Sequence, residues 1–184
     1  RLVGAFGLHQ EQHRPGEAGE VQEPAVSEAV VIDHSVQTLQ GETFDFAAFR
    51  GRPILIVNTG SKCGYTPQYA SLQKLFETYG ERGLVVVGFP SNDFGQEYQS
   101  EEKIRDFCRL TYSVRFPMFE KVTVKEGDAH PFFNELAAAA GTYPTWNFHK
   151  YLIGRDGQLI AEFSPRTKPY DDKLVSSIEN ALAL

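Results

Sequence analysis

The sequence contains little cysteine and no long apolar run. Two cysteines among 184 residues, Cys63 and Cys108, exclude a disulfide-rich scaffold and form no CxxC pair. No apolar stretch approaches the ~20 residues that a membrane-spanning helix needs. Basic residues are also in deficit, since 18 Lys and Arg stand against 24 Asp and Glu, for a net charge of −6. This charge disfavours nucleic acid and anionic membrane surfaces as partners.

The composition is that of a soluble globular domain. Hydrophobic residues make up 41% of the chain and charged residues 23%, which is sufficient to bury a core in one domain of this length. Residues 1–30 are polar and aperiodic, so we expect a flexible leader there and a folded domain over residues 31–184. His9 and His13 in the leader have a chelating spacing for a helix, but the flanking Gly and Pro oppose a helix, and no metal site is expected.

Hydrophobic patterning predicts alternating strands and helices after the leader. Residues 53–58 and 84–89 are near-continuous apolar runs, typical of strands buried on both faces, and an amphipathic helix ending near Gly80 is predicted between them. Such a βαβ unit requires a parallel strand pair with a right-handed crossover.

Further signals complete the predicted fold. They predict a short hairpin around Gln40-Gly41, helices over 100–110 and 131–140, a hairpin turning at Asp156-Gly157 and a C-terminal helix from Leu174. This order of elements predicts an α/β fold, a thioredoxin-like three-layer sandwich with a central mixed β-sheet flanked by helices.

Cys63 lies in the segment Asn58-Thr-Gly-Ser-Lys-Cys-Gly-Tyr-Thr66, between the first buried strand and the helix that follows it. Open α/β sheets bind ligands at this edge, and a helix N-terminus offers N–H groups that favour a thiolate. The small polar residues around Cys63 form a poor hydrophobic wall, which favours a reactive thiol over a structural one. Because no cysteine stands at i+3, a thioredoxin-type dithiol exchanger is disfavoured.

Three segments together resemble the glutathione peroxidase family. The Cys63 segment resembles the cysteine or selenocysteine motif of that family, residues 89–97 resemble its second signature, and residues 146–152 resemble its third. The segments occur in the family's order, and the resemblance covers about residues 33–183. It implies an antioxidant, thiol-dependent peroxidase that reduces hydrogen peroxide and organic or lipid hydroperoxides.

The resemblance also implies roles for individual residues. Cys63 would attack the O–O bond and become a sulfenic acid. The family's catalytic glutamine, tryptophan and asparagine map to Gln96, Trp146 and Asn147. Amide and indole N–H groups are donors that would stabilise the thiolate and position the peroxide. The stretch around Gln96 is one residue shorter than is usual in the family.

Cys108 carries two interpretations. It resembles the resolving cysteine of cysteine-type members, in which thioredoxin then reduces the disulfide. Its predicted helical face, shared with Ile104 and Phe107, instead favours core packing, and glutathione or another external thiol would then regenerate Cys63. A disulfide needs Cα atoms within ~7 Å, so pairing of the two cysteines would require local unwinding of that helix. No cofactor beyond this thiol co-substrate is implied.

Assembly, compartment and an alternative function complete the expectations. The stretch 130–146 lacks the insertion of tetrameric family members, so the resemblance implies a monomer. The chain starts at Arg1, which indicates processing or trimming. Two unpaired cysteines favour the cytoplasm, whereas a removed signal would point to the periplasm or an organelle. The alternative function is a thioredoxin-fold redox sensor or binding module that uses Cys63 to signal to a partner protein.

Overall fold

A computed structural model describes residues 33–184, so the predicted leader with His9 and His13 lies outside the described residues. The elements are β1 (Ser35–Gln37), β2 (Thr43–Asp45), a 3₁₀ helix (Phe46–Phe49), β3 (Ile54–Thr59), α1 (Gln68–Tyr79), β4 (Val85–Pro90), α2 (Glu101–Tyr112), α3 (Pro131–Ala140), β5 (Lys150–Ile153), β6 (Leu159–Phe163) and α4 (Asp172–Ala183). Every predicted helix and strand is present, with ends within a few residues of those expected.

The central sheet is mixed, as predicted. Its strand order is β4-β3-β5-β6, in which β3 pairs with β4 in parallel and the other two pairs are antiparallel. α1 connects the two parallel strands along the chain, and the three elements form the predicted βαβ unit. β1 and β2 form a separate antiparallel hairpin, and a bridge between Thr38 and Phe119 attaches it to the rest of the domain.

The sheet separates two hydrophobic clusters. In β3, Leu55 and Val57 pack into a cluster with side chains of α1, α2 and α4, whereas Ile54 and Ile56 pack into a cluster with α3 and the 3₁₀ helix. Because successive side chains of a strand point to opposite faces, one continuous apolar run serves both clusters. Helices therefore cover both faces of the sheet, which makes the predicted three layers.

Local signals set the helix ends. Ser100 caps α2, its hydroxyl accepting a hydrogen bond from the backbone N–H of Lys103 at 3.2 Å. α2 continues two residues beyond the predicted end, because the Tyr112 ring packs against Tyr69 with ring centroids 5.7 Å apart. Ser113 then ends the helix in the left-handed conformation with φ 52°.

Phe89 lies at the centre of the α3-side cluster, one residue before the end of β4. Its ring is fully buried and contacts four other phenylalanine rings at centroid distances of 4.7–6.2 Å. Since the loop that carries Gln96 leaves the sheet directly after β4, this packing anchors that loop.

Replacement of Phe89 by alanine tests this anchor. We expect Phe89→Ala to lower the free energy of unfolding by about 3–5 kcal/mol, because it leaves a cavity among the rings. Leu110→Ala is the control, since Leu110 is 75% exposed and its loss should change stability by about 0.5 kcal/mol or less. Denaturant unfolding measures both variants, and equal stabilities would contradict this assignment of the core.

Candidate active site

Three loops meet at one edge of the central sheet. β3 and β4 are parallel, so the segments that follow Thr59 and Pro90 leave from the same edge. β5 is antiparallel to β3, so the segment that precedes Lys150 arrives at that edge as well. The topology therefore brings together the Cys63 segment, the Gln96 segment and the Trp146-Asn147 segment.

Thr66 fixes the conformation of the Cys63 loop. Its hydroxyl accepts from the backbone N–H of Cys63 at 3.0 Å and donates to the carbonyl of Gly60 at 2.7 Å. The backbone N–H of Tyr65 then donates to the Cys63 sulfur at 3.3 Å. A backbone donor on the sulfur suits an atom that carries negative charge during reaction.

The expected polar surroundings of Cys63 are present on one side only. The sulfur receives its N–H from the loop, but the residue is only 8% exposed and belongs to the hydrophobic cluster on the α1 side of the sheet. The composition of the segment did not indicate this apolar side, because the packing residues come from distant parts of the chain.

Gln96 and Asn147 meet beside this loop. The side-chain Nδ2 of Asn147, which is fully buried, donates to Oε1 of Gln96 at 3.2 Å. The backbone carbonyl of Gln96 accepts from the N–H of Lys62 at 2.9 Å. Gln96 therefore contacts both the Cys63 loop and Asn147.

Trp146 lies at the surface of the same site rather than in the core. Its indole is 37% exposed and packs against the Phe94 ring, with centroids 5.0 Å apart. The side chain of Asn58, at the end of β3, donates to the Trp146 carbonyl at 2.9 Å. A tryptophan that served only as a core anchor would be buried, so its position is suited to contact with a ligand.

Sequence reasoning did not identify Glu97 or Lys150, which lie beside the site residues. The Glu97 carboxyl is buried and accepts from the backbone N–H of Tyr98 at 2.8 Å. Burial raises the pKa of this carboxyl, and the hydrogen bond from the Tyr98 N–H opposes the rise. The Lys150 ammonium is fully buried at the start of β5. A charged residue within an otherwise apolar strand was the signal that could have identified Lys150.

Cys108 is buried in α2, one turn after the buried Ile104. It belongs to the same hydrophobic cluster as Cys63, and both cysteines are free thiols. Desolvation raises the pKa of the Cys108 thiol to about 11, because a buried thiolate loses the water that would stabilise its charge. The predicted core packing of Cys108 is confirmed, whereas its role in catalysis is a separate matter.

Comparison with known proteins identifies the family. The glutathione peroxidase family model matches residues 31–137. A hydroperoxy fatty acid reductase, Gpx2 of Synechocystis, is 45% identical over 149 residues, covering 80% of this chain and 96% of its own. The thioredoxin/glutathione peroxidase BtuE of Escherichia coli is 40% identical over 178 residues, covering 83% and 97%.

Solved structures agree with the sequence comparisons. The crystal structure of Trgpx in apo form superposes with a TM-score of 0.68 at 31% identity, covering 84% of this chain and 97% of that one. The fold and the site thus define a thioredoxin-fold thiol peroxidase, an oxidoreductase. More particularly, the chain belongs to the glutathione peroxidase family.

Metal-binding clusters and membrane-spanning helices are both absent from the described part of the chain. Within residues 33–184, no group of three or more His, Cys, Asp or Glu side chains is placed to hold a metal ion. No helix within the same range has the length and apolar character needed to cross a membrane.

Gly60 provides a steric test of the site. A Cβ at this position would lie 2.9 Å from Nδ2 of Asn147 and 3.1 Å from the Gln96 carbonyl oxygen, so Gly60→Ala must displace one of them. We expect peroxide turnover to fall roughly 10- to 100-fold, since small misplacements of catalytic groups have effects of that size.

Gly64 is the matched control in the same loop. A Cβ there meets no atom within 4 Å, so Gly64→Ala should keep its turnover within about threefold of the unchanged protein. Steady-state peroxide consumption measures both variants. Equal rates for the two would mean that close packing of Asn147 and Gln96 on this loop is not needed.

Proposed function

We propose that this peroxidase uses Cys63 as its peroxidatic residue, with Gln96, Trp146 and Asn147 around the reacting atoms. The observation that carries the proposal is the direct linkage of these segments. The Cys63 loop bonds to Gln96 through Lys62, Gln96 bonds to Asn147, and Asn147 is continuous with Trp146.

The first half of the cycle consumes the peroxide. The Cys63 thiolate attacks one oxygen of the O–O bond, so an S–O bond forms while the O–O bond breaks. The sulfur is oxidised to sulfenic acid, and the departing oxygen takes a proton and leaves as alcohol or water. None of the three neighbouring side chains titrates near neutrality, so this proton comes from the original thiol or through water.

Asn147 orients the donors of Gln96. Because Oε1 of Gln96 accepts from Asn147, its Nε2 lies on the other side of the amide, with its two N–H groups directed away from Asn147. Oδ1 of Asn147 is buried and has no hydrogen-bond partner within residues 33–184. The Gln96 N–H groups and the indole N–H of Trp146 are therefore the donors that stabilise charge on sulfur and oxygen.

A thiol reductant completes the cycle, and we propose thioredoxin or glutathione. A thiol attacks the sulfenic sulfur, forms a disulfide and releases water, and a second thiol then reduces that disulfide and regenerates the Cys63 thiol. In one route Cys108 supplies this thiol, which requires part of α2 to unwind because Cys108 is buried in the helix. In the other route an external thiol attacks directly. The name of the related BtuE, which gives both thioredoxin and glutathione, supports both routes.

We further propose fatty-acid hydroperoxides among the substrates and a monomeric protein. The related Gpx2 is named a hydroperoxy fatty acid reductase, and the partly exposed rings of Trp146 and Phe94 offer apolar surface beside the site. Only five residues separate α3 from Trp146, which leaves no long insertion there for subunit contacts.

Thiol counting after one equivalent of hydrogen peroxide tests the proposal. We expect rapid thiol loss in the unchanged protein and in Cys108→Ser, and none in Cys63→Ser, which should also lose all peroxide turnover while remaining folded. Loss of both thiols without dimer formation indicates a Cys63–Cys108 disulfide. Loss of one thiol indicates a lasting sulfenic acid on Cys63, which an external thiol must then reduce.

Two results would contradict the proposal. Retained turnover in Cys63→Ser would remove Cys63 from the reaction. Oxidation of Cys63 that neither thioredoxin nor glutathione reverses would favour the redox-sensor function instead.

The raised pKa of Cys108 predicts its reactivity. With a pKa of about 11 against about 8.5 for a free cysteine, Cys108 should be alkylated by iodoacetamide at pH 8 at least about tenfold more slowly than an unstructured thiol. Mass spectrometry of the Cys63→Ser variant measures this rate, with the urea-unfolded variant as control. Similar folded and unfolded rates would mean that α2 opens readily around Cys108.

A further inference from the structure

Lys150 places its amine inside the protein core. Its side chain is fully buried at the first position of β5, where Nζ donates to the carbonyl of Phe148 at 2.7 Å and lies 3.4 Å from the carbonyl of Pro165. It forms no ion pair with any residue between 33 and 184. The two carbonyl groups are therefore its polar partners in this part of the chain.

Burial of this charge is unfavourable in itself. Desolvation lowers the pKa of the Lys150 amine to about 7, and no neighbouring carboxylate opposes the shift. An apolar side chain of similar length would fill the same space without that cost. The local structure must therefore depend on the donors that Nζ supplies.

The carbonyl that Nζ holds belongs to a residue with unusual backbone geometry. Phe148 has a φ of 67°, in the left-handed region where a bulky non-glycine residue is strained. Three contacts hold it there. Its N–H donates to the Asn58 carbonyl at 2.6 Å, its ring packs edge-on against Tyr69, and its carbonyl accepts from Lys150.

The left-handed turn at Phe148 determines the direction in which the preceding residues leave β5. Those residues are Asn147 and Trp146, which contact Gln96 and Phe94 respectively. Without a hydrogen bond on its carbonyl, the Phe148 peptide could relax toward an unstrained conformation and rotate Asn147 away from Gln96.

We propose that Lys150 is a positioning residue, whose buried amine donates to the Phe148 carbonyl and thereby keeps Trp146 and Asn147 against the Cys63 loop. This inference rests on the proposed function, in which those two residues surround the reacting sulfur. It assigns to Lys150 no contact with the peroxide.

Lys150→Met tests this role, because methionine preserves an apolar stem and removes the donors. We expect the variant to fold with a melting temperature close to that of the unchanged protein, because removal of the buried amine and loss of the donor to the Phe148 carbonyl have opposite effects on stability. The second-order rate of Cys63 thiol loss with hydrogen peroxide should fall roughly tenfold or more. Trp146 is the only tryptophan in the chain, so its emission spectrum should shift as well.

Gln68→Leu is the matched control. The Gln68 amide donates to the same Pro165 carbonyl at 2.8 Å, and within residues 33–184 its side chain makes no hydrogen bond to Phe148. Its removal should leave both the rate of thiol loss and the Trp146 emission unchanged. A slowed reaction in both variants would assign the effect to the Pro165 loop and contradict the proposal.

The remaining outcomes are also decisive. If Lys150→Met does not fold, Lys150→Arg retains the cation with a different donor geometry, and we expect it to fold and react more slowly. A full rate in either folded variant, or failure of both to fold, overturns the positioning role. No reaction of the unchanged protein with peroxide would instead overturn the proposed function.

Discussion

The parallel pairing of β3 with β4 is the constraint on which the site depends. It places the segments of Cys63 and Gln96 at one edge of the sheet, and antiparallel β5 delivers the Trp146-Asn147 segment to the same edge. Hydrogen bonds then join the loops, among them those from Lys62 to Gln96 and from Asn147 to Gln96. A register slip of one residue in β5 would reverse the faces of its side chains and bury different residues beside Cys63.

The two cysteines show how backbone contacts distinguish chemically identical groups. Both are buried in one hydrophobic cluster. Cys63 lies in a loop whose Tyr65 N–H donates to its sulfur, whereas Cys108 lies within a helix whose amides are used by the helix itself. Burial is the main cause of the high pKa of Cys108, whereas the backbone donor on Cys63 supports its proposed role in attack on a peroxide.

Local patterns in the sequence were sufficient for the elements of the fold. Apolar runs, the Ser100 cap and the turn glycines act over a few residues, so their effects are readable in one segment. The contact between Gln96 and Asn147 joins residues 51 positions apart and depends on loop conformations that no periodicity encodes. Lys150 offered only a weak signal, a charged residue in an otherwise apolar strand, because a lysine at the start of a strand is ordinarily exposed.

Trapping of the sulfenic acid with dimedone tests the central claim most directly. The Cys108→Ser protein is treated with one equivalent of hydrogen peroxide in the presence of dimedone, digested and mapped by mass spectrometry. We expect rapid and near-complete modification of the peptide that contains Cys63. An unmodified Cys63 peptide, in protein that is folded and fully reduced at the start, would contradict the assignment of Cys63 as the residue that reacts with peroxide.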